Sequence, residues 1–149
     1  LETVLGYIDS GREEGGRLLV GGQQVLEDSG GCYVEATVFD EVQPDMRIAR
    51  EEIFGPVLAS ITVADAEEAV RVGNSVIYGL AAAVWTRDIS RAHRIARALR
   101  AGMVYVNCYD ADDITVPFGG YKQSGTGRDK SLHAFDKYTE LKTTWIDLS

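Results

Sequence analysis

An α/β fold, with a parallel sheet flanked by helices, is predicted by three features of the sequence. Between residues 57 and 106, strand-like and helix-like segments alternate as strand–helix–strand–helix–strand, the pattern of β-α-β crossovers and parallel pairing. The two helical segments each open on an aspartate able to cap them, Asp65 and Asp88. Residues 80–85, Leu-Ala-Ala-Ala-Val-Trp, are almost continuously apolar, as a strand buried on both faces would be.

In chain order, the opening segment carries Val4, Leu5 and Ile8 on one helical face and stops at Gly15-Gly16. Arg17-Leu18-Leu19-Val20 reads as a short strand closed by Gly21-Gly22. The polar run Glu27-Asp28-Ser29-Gly30-Gly31 reads as a loop. Residues 33–39 favour a strand, with Val34, Thr37, Val38 and Phe39 supplying branched and aromatic side chains. Pro44-Asp45 turns the chain. Arg50-Glu51-Glu52-Ile53-Phe54-Gly55-Pro56 then bends it again, because Pro56 lacks an N–H and biases Gly55 away from the helical region. Residues 57–63 leave that bend as a strand.

Asp65-Ala66-Glu67-Glu68 is a capping-box-like helix start, in which Asp65 caps and Glu68 reaches back; Ala66, Ala69, Val70 and Gly73 point inward. After the apolar strand at 80–85, Asp88 opens a helix striped by Ile89, Ala92, Ile95, Ala96 and Leu99, and Gly102 stops it. Met103-Val104-Tyr105-Val106 is a further short strand. The tail changes character. Residues 117–128 are glycine-rich and irregular, residues 129–138 read as a helix, and residues 139–148 as a final strand. That strand can pair with another chain's sheet edge or with an edge of its own chain.

The 149 residues suit one domain, and 45% apolar with 26% charged residues is an ordinary globular composition. A net charge of −8 argues against nucleic-acid or anionic-membrane binding, since phosphates need a basic surface. No apolar run approaches the roughly 20 residues of a membrane span. Cys32 and Cys108 follow no zinc or redox spacing, so a reduced, cytoplasmic protein is expected. Leu1 is not an initiator methionine, and the chain is expected to begin within a longer polypeptide.

Two stretches are candidates for chemistry. Glu52 and Phe54 lie on a bend at a strand's entrance, where a carboxylate and a flat ring can meet one ligand. A solvated glutamate pair beside a core phenylalanine stands as an equal alternative. Ligands of parallel sheets gather at the carboxyl ends of strands. Residues 107–113, Asn-Cys-Tyr-Asp-Ala-Asp-Asp, leave such an end. Asp110, Asp112 and Asp113 there offer a cation-attracting patch, against the plainer reading of an Asx-rich turn with solvated carboxylates. Cys108 reads as a small buried apolar residue rather than a nucleophile, and His93 and His133 as surface residues. The Lys122–Arg128 loop lacks GxxxxGK[ST], and no GxGxxG precedes a β-α-β unit.

Taken together the motifs are specific. Glu51-Glu52-Ile53-Phe54-Gly55-Pro56-Val57, Tyr78-Gly79-Leu80-Ala81-Ala82-Ala83-Val84-Trp85-Thr86, Ala101-Gly102-Met103-Val104-Tyr105-Val106-Asn107 and Pro117-Phe118-Gly119-Gly120-Tyr121-Lys122-Gln123-Ser124-Gly125 occur in this order. The chain strongly resembles the C-terminal third of NAD(P)-dependent aldehyde dehydrogenases, over essentially its whole length. The run Gly127-Arg128-Asp129-Lys130-Ser131-Leu132-His133-Ala134 is most similar to the subgroup acting on polyamine-derived amino, guanidino or γ-glutamylamino aldehydes.

The resemblance implies covalent catalysis: a cysteine thiolate attacks the aldehyde, hydride passes to the nicotinamide, and glutamate-activated water releases the acid. It implies that Glu52 grips the nicotinamide ribose, that Phe54 packs beside it, and that Asp110, Asp112 and Phe118 line the aldehyde tunnel. Asp129 matches a glutamate associated with proton release, with a shorter side chain. Residues 1–122 are then the end of the catalytic domain, and 123–149 a glycine-rich loop, helix and oligomerisation strand. The nucleophile, the base and the cofactor domain lie upstream; neither Cys32 nor Cys108 matches the nucleophile. The chain alone is therefore expected to carry no catalytic residue and no activity. The resemblance further implies NAD or NADP as cofactor, an aldehyde substrate and a homo-oligomer; no metal site is assigned, and charge and hydropathy argue against a nucleic-acid or membrane partner. A non-catalytic oligomerisation module is the alternative.

Overall fold

The chain folds as two units, Leu1–Val76 and Ile77–Ser149, and the computed structural model describes every residue from Leu1 to Ser149. The first unit contains α1 (Glu2–Glu13), β1 (Arg17–Val20), β2 (Gln24–Val25), a 3₁₀ turn at Glu27–Ser29, β3 (Tyr33–Val34), β4 (Thr37–Asp40), α2 (Arg47–Arg50), β5 (Val57–Ala59) and α3 (Ala66–Gly73). β1, β4 and β5 form one sheet in the order β1-β4-β5. β1 runs antiparallel to β4, whereas β4 and β5 are parallel, with Thr37, Val38 and Phe39 opposite Val57, Leu58 and Ala59.

The face of α1 predicted from its periodicity is the face that packs. Tyr7 and Ile8 join Phe39, Val42, Met46 and Ile48 in the core, with Val4 and Leu5 half-buried against it. Thr37 is the buried polar residue of this unit. Its hydroxyl accepts from Gly22 N at 2.9 Å and donates to Glu35 O at 2.9 Å, so its burial leaves no polar atom unpaired.

Several expectations for this unit need correcting. Residues 33–39 are two strands, because β3 pairs with β2 in a separate ribbon while β4 enters the main sheet. The strand expected over 57–63 ends at Ala59. Asp65 does cap α3, accepting from Glu68 N at 2.8 Å, while Glu68 Oε2 accepts from Ala64 N at 2.8 Å. Gly73 is exposed, and Val72 takes the half-buried place expected of it.

The second unit contains β6 (Tyr78–Gly79), β7 (Ala81–Val84), α4 (Ile89–Ala98), β8 (Met103–Val106), β9 (Tyr121–Lys122) and a 3₁₀ helix at Leu132–Lys137. β7 and β8 are parallel in unbroken register from Ala81↔Met103 to Val84↔Val106, with α4 as their crossover. β6 pairs antiparallel with β9. Asp88 caps α4 by accepting from Arg91 N at 3.0 Å.

The parallel pairing predicted over 57–106 is present, but in two separate sheets, since β5 pairs with β4 and β7 with β8. β7 has one strand neighbour, and Leu80 (42% exposed) and Trp85 (63% exposed) show that the segment is not buried on both faces. The helix expected over 129–138 is the shorter 3₁₀ element, and residues 139–149 join no ladder within the chain. No helix is long and apolar enough to cross a membrane.

Candidate functional site

The bend at 50–57 begins where α2 ends. Glu51, the residue after α2, is extended at φ −109° and ψ 155°, and one oxygen of its carboxylate holds two partners. Glu51 Oε2 accepts from the Tyr7 hydroxyl at 2.8 Å and from Arg47 Nε at 3.0 Å. The Arg47 guanidinium lies 4.2 Å from the Tyr7 ring centroid, and Arg47 N donates to Glu14 Oε2 at 2.7 Å. The Tyr7 hydroxyl first, and Arg47 second, hold the Glu51 carboxyl below the ordinary carboxylate range. Their own hydrogen bonds to Glu51 in turn raise the pKa of Tyr7 and of Arg47.

Glu52 differs from its neighbour. It is exposed and makes no hydrogen bond or ion pair within the chain. Ile53 packs against the core, and Phe54 follows at φ +52° with 86% of its surface exposed. A bulky residue in the left-handed region is uncommon and persists where its surroundings impose it. Gly55 supplies that constraint: a Cβ there would lie 2.7 Å from the methyl groups of Val4, so α1 presses directly on the bend. Pro56 O accepts from Thr37 N at 2.8 Å, which ties the exit of the bend to β4. A core phenylalanine is therefore not what Phe54 is; the ring stands in solvent beside an unpartnered carboxylate.

The second stretch starts at the carboxyl ends of β7 and β8. Asn107, at φ +55°, accepts from Thr86 N at 2.8 Å and donates to Thr86 O at 2.9 Å. Beyond it, residues 107–117 are exposed. Cys108 is exposed too, contrary to the buried residue expected, because it lies just past the last paired residue of β8. His93 and His133 are exposed, as the sequence suggested.

The three aspartates of this loop have three different fates. Asp113 accepts from Thr115 N at 2.8 Å and from its hydroxyl at 2.7 Å, and the hydroxyl chiefly lowers its pKa. Asp112 is ion-paired with Lys130. Asp110, at φ +55°, is exposed and makes no hydrogen bond or ion pair within the chain.

Phe118 is half-buried and exchanges both backbone hydrogen bonds with Asp129, at 2.8 and 2.7 Å. The Lys130 ammonium stands 5.5 Å from the Phe118 ring centroid. The Asp129 carboxylate is exposed and pairs with Lys137, raising the pKa of that lysine. The structure thus brings Asp112, Phe118 and Asp129 together on one loop pairing. Glu52 and Phe54 belong to the other unit.

Sequence reasoning missed two parts of this construction. The Tyr7–Arg47–Glu51 network couples residues 44 positions apart and has no local signature. Arg128 Nη1 donates to the carbonyls of Gly120 (2.9 Å), Thr126 (3.1 Å) and Gly127 (2.9 Å), closing the glycine-rich loop on itself. Arg100 and Arg128 also flank the Tyr121 ring, at 5.2 and 5.3 Å from its centroid. An arginine after a glycine-rich run was the available signal.

Parallel β-α-β pairing, with acidic and aromatic side chains displayed on loops next to strands, defines the class as an α/β fold whose loops at strand ends are open to ligands. The model of the aldehyde dehydrogenase family matches residues 1–144, and the chain belongs to that family. It is 52% identical to the NADP/NAD-dependent aldehyde dehydrogenase PuuC of Escherichia coli, over 99% of this chain and 29% of that protein. Among solved structures, it matches the AldA indole-3-acetaldehyde dehydrogenase of P. syringae bound to NAD+ and IAA, with a TM-score of 0.95 and 64% identity, over 99% of this chain and 30% of that one. It also matches the γ-glutamyl-γ-aminobutyraldehyde dehydrogenase of Burkholderia cenocepacia, with a TM-score of 0.91 and 62% identity, over 96% of this chain and 29% of that one. The chain spans about 30% of the length of the proteins it matches.

Proposed function

We propose that this chain supplies cofactor-binding and substrate-binding residues to an enzyme that oxidises an aldehyde to a carboxylic acid with NAD+ or NADP+. The observation that carries this reading is the contrast at the bend. Glu51 is locked by Tyr7 and Arg47, while Glu52 and the left-handed Phe54 are exposed and free to meet a ligand. A carboxylate with two acceptor oxygens suits the paired hydroxyls of the nicotinamide ribose, and a rigidly placed ring limits where the nicotinamide can sit. The nicotinamide, once bound, accepts the hydride; the thiolate and base come from other parts of the enzyme.

Asp110, Asp112 and Phe118 line the aldehyde's approach in this reading, and Asp129 has a share in proton release. The relatives leave the substrate open, since identities of 64% and 62% connect the chain equally well to an indole aldehyde and to a γ-glutamylamino aldehyde. The unpaired Asp110 favours an aldehyde bearing a cation, such as the amino, guanidino or γ-glutamylamino aldehydes of polyamine (putrescine) catabolism. We place the enzyme in the cytoplasm as a homo-oligomer, with residues 123–149 as the assembly segment and residues 1–122 as part of the catalytic domain. A non-catalytic assembly module is the second reading; Leu141, Trp145 and Leu148, all almost fully exposed, favour it.

In the full-length enzyme, Glu52→Gln is expected to raise KM for the nicotinamide cofactor about tenfold, roughly 1.4 kcal/mol, because a charged hydrogen bond to the ribose is weakened. KM for the aldehyde should move little. An unchanged cofactor KM would overturn the assignment of Glu52.

A further inference from the structure

The acidic loop is not uniformly available to a ligand, and one basic side chain decides how much of it is. Segment 129–131 is stitched antiparallel against 114–118: Phe118 and Asp129 exchange two backbone hydrogen bonds, and Ser131 N donates to Ile114 O at 2.7 Å. Lys130 and Ser131 both have positive φ, at +59° and +50°. This stitching delivers the Lys130 ammonium to the Asp112 carboxylate and over the Phe118 ring. The Lys130 side chain keeps only 28% of its surface exposed, so it is packed along the loop instead of swinging in solvent.

We infer that Lys130 is a specificity-determining residue, an internal counter-ion that occupies Asp112 and leaves a cationic aldehyde to meet Asp110, the aspartate of the three with no hydrogen bond or ion pair within the chain. This rests on the reading of Asp110, Asp112 and Phe118 as the aldehyde's approach. A substrate ammonium must displace Lys130 to use Asp112, and the displaced lysine then repels it. Neutral aldehydes meet neither effect. Lys130 therefore tempers the selectivity for cations that three neighbouring aspartates would otherwise give.

The test measures kcat and KM in the full-length enzyme for 3-aminopropanal and for butanal, a neutral aldehyde of the same chain length. Lys130→Met should lower KM for 3-aminopropanal about three- to tenfold with kcat unchanged, because an exposed pair is worth only a modest factor. KM for butanal should stay within about twofold, and the gain should shrink in high salt as exposed charges are screened. Lys130→Arg, which keeps the charge, should behave as the unaltered enzyme, and adding Asp112→Asn to Lys130→Met should cancel the gain. Lys130→Gln replaces the Met variant if the latter does not fold. Equal gains for both aldehydes, or none for 3-aminopropanal, would overturn the inference. Asp110→Asn separates the two levels. If it raises KM for 3-aminopropanal while Lys130→Met does nothing, the site reading stands and the counter-ion fails. If neither variant moves either aldehyde, both fall.

Discussion

The two units bury apolar surface in opposite ways. In the first, Ile8 and Phe39 are 0% exposed and Val42 1%, and six residues from α1, β4 and the segment around α2 form one core. In the second, Ala92 and Tyr105 alone among the apolar residues are buried, while Trp85, Ile89, Leu132 and Trp145 are each more than 60% exposed. The difference shows where rigidity comes from. The bend bearing Glu52 and Phe54 is exposed because a finished core and the Tyr7–Arg47–Glu51 network hold it out, not because it is loosely held. The second unit displays its apolar side chains as surface, and apolar patches rimmed by polar residues mark contact sites.

The largest expected effect tests that contrast directly. Phe39→Ala should cost about 3–5 kcal/mol in chemical denaturation of the chain, since it empties a filled core site. Trp85→Ala removes as much apolar volume from an exposed position and should stay within about 0.5 kcal/mol. Similar losses for the two would erase the distinction between the units.

A smaller effect separates glycines that resemble each other in the sequence. A Cβ at Gly102 would collide with the backbone carbonyl of Gly119, so the glycine-rich loop can approach β8 only when residue 102 has no side chain. Gly102→Ala should cost about 1–3 kcal/mol. Gly6 on α1 has open space around its Cβ position, so Gly6→Ala should stabilise the first unit by about 0.5–1 kcal/mol. Thermal melts of the two variants should shift in opposite directions. A destabilising Gly6→Ala would show that α1 is held less straightforwardly than its packing indicates.

Much of this was legible because it is local. The Asp65 and Asp88 caps, the α1 stripe and the β7–α4–β8 crossover follow from spacings of three or four residues or from strand length, and all four are present. The break between β3 and β4 was not legible, since nothing in residues 33–39 announces that two halves of one apolar run join different sheets. The burial expected at residues 80–85 failed because strand composition reports the number of neighbours a strand is suited to, not the number this chain supplies. At the candidate site, the residue types were readable and their pairing was not. Nothing in Glu51-Glu52 tells which carboxylate is anchored, and nothing in the run from Asp110 to Asp113 tells that Lys130, from a later segment, neutralises one of them.

The smallest expected effect probes the anchor itself. Glu51 titrates below its ordinary range in the folded chain, chiefly because the Tyr7 hydroxyl donates to it. A carboxyl whose folded pKa lies below its unfolded one stabilises fully above the unfolded pKa, and that contribution is lost as pH falls through the folded value. Tyr7→Phe removes the largest donor while keeping the ring under Arg47. The variant should melt slightly lower than the unaltered chain at neutral pH, since exposed charged contacts contribute little. The gap should close on acidification, because the unaltered chain then loses what the variant never had. Asp40, lowered mainly by Arg17, and Asp88, lowered mainly by Arg91 N–H, weaken in acid in both proteins alike and leave the difference untouched. A gap that stays constant from neutral to acid pH would mean that the hydroxyl only fills space, and that the bend owes its posture to Val4 and Gly55 rather than to the charge held at Glu51.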